Sequence, residues 1–232
     1  MPIRHLAHAA LCVLLATTAS AATSPVLDDL RGGDKLRALV DSVVERQRSV
    51  EGLRADFVQL KSSDMLLEPV RSSGEFRYLA PDRVRWDYDA PEEMVVLYAD
   101  NAVTTYHPEE RLAERVKISR RHQRFVQALA GTQPLDELAA QFRMTLVDPG
   151  APAAYRLELQ PTHRTLASRL EEVVLEIDRE LLLPVAVEYR EADGDRTRFE
   201  FNELEVDPAL DPGGFELELG PDVEVETIDA GN

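Results

Sequence analysis

The chain has 232 residues, with 26 Lys and Arg against 43 Asp and Glu, a formal net charge of −17 and a pI near 4.7. Nucleic-acid binding draws on Lys and Arg displacing counterions from phosphates, so a chain this acidic and without a long basic run is excluded from that class, and anionic membrane surfaces repel it for the same reason. Hydrophobic residues make up 44%, enough for a real core, and the length suits one all-β domain or at most two small ones.

Arg4 and His5 precede an apolar run from Leu6 to Leu15 that ends in Ala19-Ser20-Ala21. Charge, apolar stretch and small-residue site in that order predict a signal peptide over residues 1–21 and a single domain over 22–232. The only cysteine, Cys12, lies within the run, and Leu11 before it is not the small residue that a lipid-attachment site needs. The mature chain is therefore expected to be unlipidated and free of disulfides. Downstream, the longest uncharged apolar stretch, Leu181 to Val187, falls far short of the roughly 20 residues of a membrane span. A soluble, periplasmic product is the expectation.

Leu36, Leu39, Val40, Val43 and Val44 recur at spacings of three and four, predicting an amphipathic helix with Asp34 as its cap. After Gly52 the period changes to two. Leu53, Ala55 and Phe57, then Phe76 and Tyr78, alternate with charged residues as in strands with one buried face. Between Pro81 and Pro91 the alternation places Val84, Trp86 and Tyr88 on one face and Arg83, Arg85 and Asp87 on the other. Met94 to Tyr98 and Val103 to Tyr106 flank the turn-prone Asp100-Asn101 as a hairpin, and Glu114 to Ser119 reads as a further strand. Helical spacing returns from Arg121 to Ala130, with Phe125, Val126 and Leu129 on one side, and again from Leu135 to Phe142, with Leu135, Leu138, Ala139 and Phe142 on one face. Strands are predicted for Arg143 to Val147, Tyr155 to Gln160, Leu170 to Ile177, Leu183 to Glu191, Arg196 to Leu204 and Phe215 to Leu219. The sum is a mainly β chain: one strongly curved antiparallel sheet, a helix before it and two helices inserted midway.

Chemistry is sparse. His107, His122 and His163 are the histidines beyond the leader, and none falls into a metal-ligand or triad spacing. Glu92-Glu93, Glu109-Glu110 and Glu171-Glu172 are neighbours, but adjacent strand residues point to opposite faces and cannot flank one substrate atom. Gly213-Gly214 precedes a predicted strand, not a helix that could hold a phosphate. No catalytic residue, metal site or cofactor is expected. What the sequence does offer is a row of aromatic and aliphatic residues on one sheet face, with two short helices as a small cover, which leaves room for a cavity.

Several of these residues resemble a known family, the periplasmic outer-membrane lipoprotein carriers, LolA. The resemblance rests on Phe57-x-Gln59, Gly74-Glu-Phe76, Pro81-x-x-Val84-x-Trp86-x-Tyr88-x-x-Pro91, Val95 to Asp100, Tyr106-x-Pro108, the segment around Phe125 to Leu129, and the closing Phe215 to Val225. It implies an incomplete antiparallel β-barrel whose concave apolar face is closed by lid helices. It also implies a monomeric, non-enzymatic periplasmic carrier that takes acylated lipoproteins from an inner-membrane ABC transporter to an outer-membrane acceptor lipoprotein. By the same resemblance Phe57, Phe76, Val84, Trp86, Tyr88, Val96 and Tyr106 line the lipid cavity, and Phe125, Val126, Leu129, Leu138 and Phe142 belong to the lid. One position departs from the pattern: the arginine that the family carries before the strand-turn proline, where it bonds to the lid, is Ala80 here. That departure motivates a carrier of another exported lipid, a glycolipid or polyene-type pigment, as an alternative. A periplasmic lipid-sensing regulator is the second, since a similar half-barrel occurs in such proteins.

Overall fold

The alternating segments become one ladder. The computed structural model describes residues 27–118 and 134–229, and in them a single sheet of twelve strands dominates. Helix α1, Gly32–Ser49, comes first and buries Leu39, Val43 and Val44, the apolar stripe legible in its spacing. Its start differs from expectation. Arg31 is the N-cap and makes no side-chain cap bond, so Asp34 sits inside the first turn, where its charge still opposes the positive end of the helix dipole.

A meander follows: β1 (Gly52–Ser62), β2 (Val70–Leu79), β3 (Arg83–Ala90), β4 (Met94–Ala99), β5 (Ala102–His107) and β6 (Leu112–Lys117). The β4–β5 turn has Asp100 at φ 53° and Asn101 at φ 57°, the left-handed pair whose twist suits a two-residue hairpin and which Asp and Asn tolerate. After the short helix α2 (Leu135–Ala139), a second meander runs through β7 (Phe142–Val147), β8 (Tyr155–Pro161), the one-turn helix α3 (Arg164–Ala167), β9 (Leu170–Ile177), β10 (Pro184–Glu191) and β11 (Arg196–Val206). The two meanders join where β11 pairs antiparallel with β1, giving the order β12-β6-β5-β4-β3-β2-β1-β11-β10-β9-β8-β7. β12 (Glu224–Asp229) and β7 are the edges, so the sheet is not closed. β12 pairs parallel with β6, the one exception to an antiparallel ladder.

Two predicted elements change. The segment from Leu135 to Phe142 is not one helix: α2 ends at Ala139, and Phe142 opens β7 opposite Pro161, its backbone committed to the sheet. Phe215 to Leu219 is not a strand. Asp211 accepts a bond from the Gly213 N–H at 3.0 Å and caps a 3₁₀ turn over Pro212–Phe215, and an extended strap follows with no ladder partner. The alternation was real: Phe215 is buried and Leu217 and Leu219 half-buried, while Glu216 and Glu218 are exposed. The apolar side faces the convex surface of the sheet, where Arg85 donates to the carbonyls of Gly214 (2.9 Å) and Glu216 (3.2 Å). The helix expected over 121–130, with Phe125, Val126 and Leu129, and the leader over 1–21 both lie outside the described residues.

Candidate functional site

Strand registers decide which side chains share the concave face. On β1 and β2, Leu53, Ala55 and Phe57 oppose Tyr78, Phe76 and Gly74. β2 then sets Phe76 against Trp86 and Tyr78 against Val84 on β3, and β3 sets Val84 against Tyr98 and Trp86 against Val96 on β4. From the other meander Phe201 faces Phe57 and Phe199 faces Gln59. The result is an aromatic floor. Phe57 meets Trp86 at 4.8 Å and Tyr88 at 4.9 Å between ring centroids, both edge-on. Trp86 meets Phe76 at 4.6 Å and Phe199 at 4.8 Å, and Phe76 meets Phe201 at 5.0 Å. These separations are those at which aromatic pairs add attraction beyond their buried area.

Leu39 and Val43 of α1, Leu135 and Leu138 of α2, and Phe142 of β7 belong to the same apolar core as this floor. Val96 and Tyr88 pack against it half-buried, and burial pushes the Tyr88 phenol well above its ordinary range, so it stays neutral. Tyr106 is the correction. The tight Asp100-Asn101 turn pairs Ala99 with Ala102, which puts Tyr106 opposite Val95 on the convex face; the strand alternates from the turn, and Val103 and Thr105 take the inward positions instead. Phe199 and Phe201 were missed, although their period-two spacing on β11 carried the signal.

The convex face carries the charges. Arg77 bonds to Asp87, and Arg85 holds the same carboxylate at 2.8 and 2.9 Å. Burial works to raise the Asp87 carboxyl, but the bonds from Arg85 and Arg77 outweigh it and hold the group below its ordinary value. Ala80 is exposed beyond the end of β2, and its N–H donates to the Glu51 carbonyl at 2.9 Å. Arg77 and Arg85 therefore offer no substitute for a lid-binding arginine on the concave side.

A second polar cluster ties the start of α1 to the far edge of the sheet. Lys35, only 5% exposed, bonds to Asp148 and, at 3.2 Å, to Asp28. Arg179 bonds to the same two carboxylates and stacks 4.0 Å from the Tyr155 ring, whose hydroxyl donates to Asp28 at 2.8 Å. Asp28, Lys35 and Asp148, with Arg31, Gly32, Leu146, Gly150 and Ala151, line a cleft of ≈ 510 Å³. Nothing in the sequence brought these distant residues together. Among the described residues, no group of three or more His, Cys, Asp or Glu is placed to hold a metal ion.

Fold and face together define a class: an open β half-barrel, floored by aromatic rings on its concave side and flanked there by helices. Residues 48–218 match the model of the outer membrane lipoprotein carrier protein LolA family. The chain is also 30% identical over 223 residues to an outer-membrane lipoprotein carrier protein of Alkalilimnicola ehrlichii, covering 96% of this chain and 95% of the relative. It belongs to the LolA family, whose members are periplasmic carriers rather than enzymes. Solved structures share the fold at lower identity. An uncharacterized conserved protein from Thermus thermophilus superposes with a TM-score of 0.53 at 10% identity, covering 83% of this chain and 99% of that one. MucB superposes with a TM-score of 0.52 at 17% identity, covering 84% of this chain and 66% of MucB. No helix among the described residues is long and apolar enough to cross a membrane.

Proposed function

We propose that the chain, exported through a cleaved signal peptide, is a periplasmic carrier that shields the acyl chains of lipoproteins on its concave face. It would receive them from an inner-membrane ABC transporter and pass them to an outer-membrane acceptor lipoprotein. The floor of Phe57, Phe76, Trp86, Tyr88, Phe199 and Phe201 carries this reading. An acyl chain loses roughly 0.8 kcal/mol per CH₂ when exposed to water, so a carrier must cover chains of ordinary length. It must also release them. Ring faces and edges hold an alkyl chain by dispersion, without directional bonds to break, which suits alternate loading and release. Membership of a family of carriers and the 30% identical relative support lipoprotein as the cargo.

The test is to purify the mature protein from its own periplasm without detergent and identify by mass spectrometry what accompanies it, in parallel with Val84→Asp and Trp86→Ala. Acylated lipoproteins held by the wild type and lost in both variants, each still folded by circular dichroism, are the expected outcome. Equal loading of all three proteins would defeat the proposal. Free glycolipid or pigment in place of lipoprotein would indicate the other lipid cargo, a reading that Ala80 favours. Trp86, the only tryptophan, reports directly: lipid on the floor shifts its emission, whereas a regulator that reads a protein surface leaves it unchanged.

A further inference from the structure

Seven residues, Ser63 to Pro69, join β1 to β2, and three in a row at their centre are apolar: Met65, Leu66 and Leu67. Turns ordinarily use Gly, Pro, Asn, Asp and Ser, and a large apolar side chain left in water forfeits the stabilisation that burial would bring. Here Met65 is 93% exposed, Leu67 fully so, Leu66 42%, and Val70 at the start of β2 41%. These are four of the seven large apolar side chains exposed among the described residues. The backbone beneath them is held, with the Leu66 N–H donating to the Ser63 carbonyl at 3.0 Å and the Met65 N–H to Ser63 Oγ at 3.3 Å.

The loop also projects past the last paired residues. β1 and β2 pair with each other out to Lys61 and Val70 and β11 pairs with β1 as far as Ser62, so the β10–β11 turn is the neighbour on that side, while β3 ends its pairing with β2 at Ser73. Along the hairpin the inward positions run Phe57, Gln59, Lys61 on one strand and Gly74, Ser72, Val70 on the other, so the tip extends the face that holds the aromatic floor. Its charges cancel: Lys61 and Arg71 balance Asp64 and Glu68, on a chain that is otherwise strongly negative.

We propose that the Met65-Leu66-Leu67 tip inserts into the surface of an electrically neutral lipid bilayer and brings the open end of the concave face against the membrane. The proposal rests on the carrier reading and deepens it: a chain passing between floor and bilayer avoids water only if the two meet. A pocket on a partner protein is the other occupant such a tip could have. Anchors for protein pockets are enriched in Trp, Tyr and Arg, and the three residues of the tip are none of these; flexible aliphatic side chains in a neutral setting suit hydrocarbon better. Attraction here comes from apolar insertion and not from charge, so anionic lipid should oppose it.

Leu67→Cys, with Cys12 inside the expected leader, supplies a single thiol in the mature chain for an environment-sensitive fluorophore. Vesicles of phosphatidylcholine should shift its emission to the blue, while the same label at Glu180→Cys, in the exposed β9–β10 turn at the opposite end of the strands, should not respond. Adding Met65→Asn and Leu66→Asn to the Leu67→Cys chain should abolish the shift. Vesicles half phosphatidylglycerol should give a weaker shift, recovered at high salt as the repulsion is screened. No shift with neutral vesicles, or an undiminished one in the asparagine variant, overturns the proposal. Lipoprotein loading is measured separately on the Met65→Asn/Leu66→Asn protein. Loading at the wild-type level with no vesicle response in any form rejects the membrane contact alone, whereas a wild type that never loads rejects the carrier reading whatever the label does.

Discussion

Gly74 is the position where the sheet admits no side chain. A Cβ there would stand 1.8 Å from the Asp87 carbonyl oxygen and 2.9 Å from Tyr88 Cα, both backbone atoms that cannot swing aside, at the irregular step where β2 and β3 change register. Gly74→Ala is expected to cost about 1–3 kcal/mol, the range of overpacked sites, read as a lower urea midpoint. Phe57→Ala, at the centre of the floor, should cost about 3–5 kcal/mol, whereas Leu67→Ala at the exposed tip should change stability by no more than about 0.5 kcal/mol. If Phe57→Ala proved as mild as Leu67→Ala, the floor would not be the core described above. Much of this face was legible beforehand, because Phe57, Phe76, Val84 and Trp86 fall on inward positions by alternation alone, whereas Val96, inside the unbroken apolar run Met94 to Tyr98, was carried only by the resemblance. Tyr106 was not, since the parity of β5 is fixed by which residues form the turn before it and not by its own pattern. Gly74 stood out only as part of a resemblance; its reason is the approach of the neighbouring backbone.

At the scale of elements, two devices fasten the ends of the chain. Near the N-terminus, the Asp148 carboxyl is held well below the ordinary carboxylate range, first by its bond from Lys35, against the opposing effect of burial. Asp28 is lowered by bonds from the Tyr155 hydroxyl and Lys35, and Lys35 is raised by Asp148. A carboxyl lowered on folding contributes stability that is complete above its unfolded value near 3.9 and is lost as the pH falls through the folded value. A raised lysine contributes fully below about 10.4 and loses that contribution above it. Stability should therefore fall below about pH 4 and again in strong alkali. Asp148→Asn should flatten the acid limb and cost about 1–3 kcal/mol at neutral pH by leaving Lys35 short of a partner, both measurable in urea titrations from about pH 3 to 7.

Near the C-terminus the strap covers part of the convex face, where Leu97, Ala113 and Phe215 are buried yet lie outside the main core. Phe215→Ala should free the strap without opening the sheet. Amide exchange would then rise in β12 and on β4 to β6 while β1 and β11 keep their protection; uniform loss across all strands would show the strap to be integral to the sheet. Period two at Phe215, Leu217 and Leu219 could not reveal this. Alternation reports one buried side, not whether the backbone is paired, and Pro212 with two glycines after it favours a turn over a ladder.

Taken whole, the molecule is two local meanders, and this too could be only half read. Each hairpin within a meander has a turn signal in the sequence, but no turn marks the pairing of β1 with β11, about which the order of the whole sheet is organised. The charged cluster shares this limit, because Lys35 meets Asp148 and Arg179 only once α1 has packed against the second meander. The Leu53↔Val206 and Phe57↔Phe201 pairs join residues from opposite ends of the chain, and such contacts carry the largest loop-closure cost. That junction is a seam. Phe57, Phe76 and Trp86 stand on one side of it and Phe199 and Phe201 on the other, so the rings proposed to receive cargo are also the stitches that hold the halves together. On the proposed function, a guest that pries Trp86 from Phe199 would weaken the seam and one that settles across both sides would tighten it, so the grip on the load would be coupled to how firmly the protein remains one body.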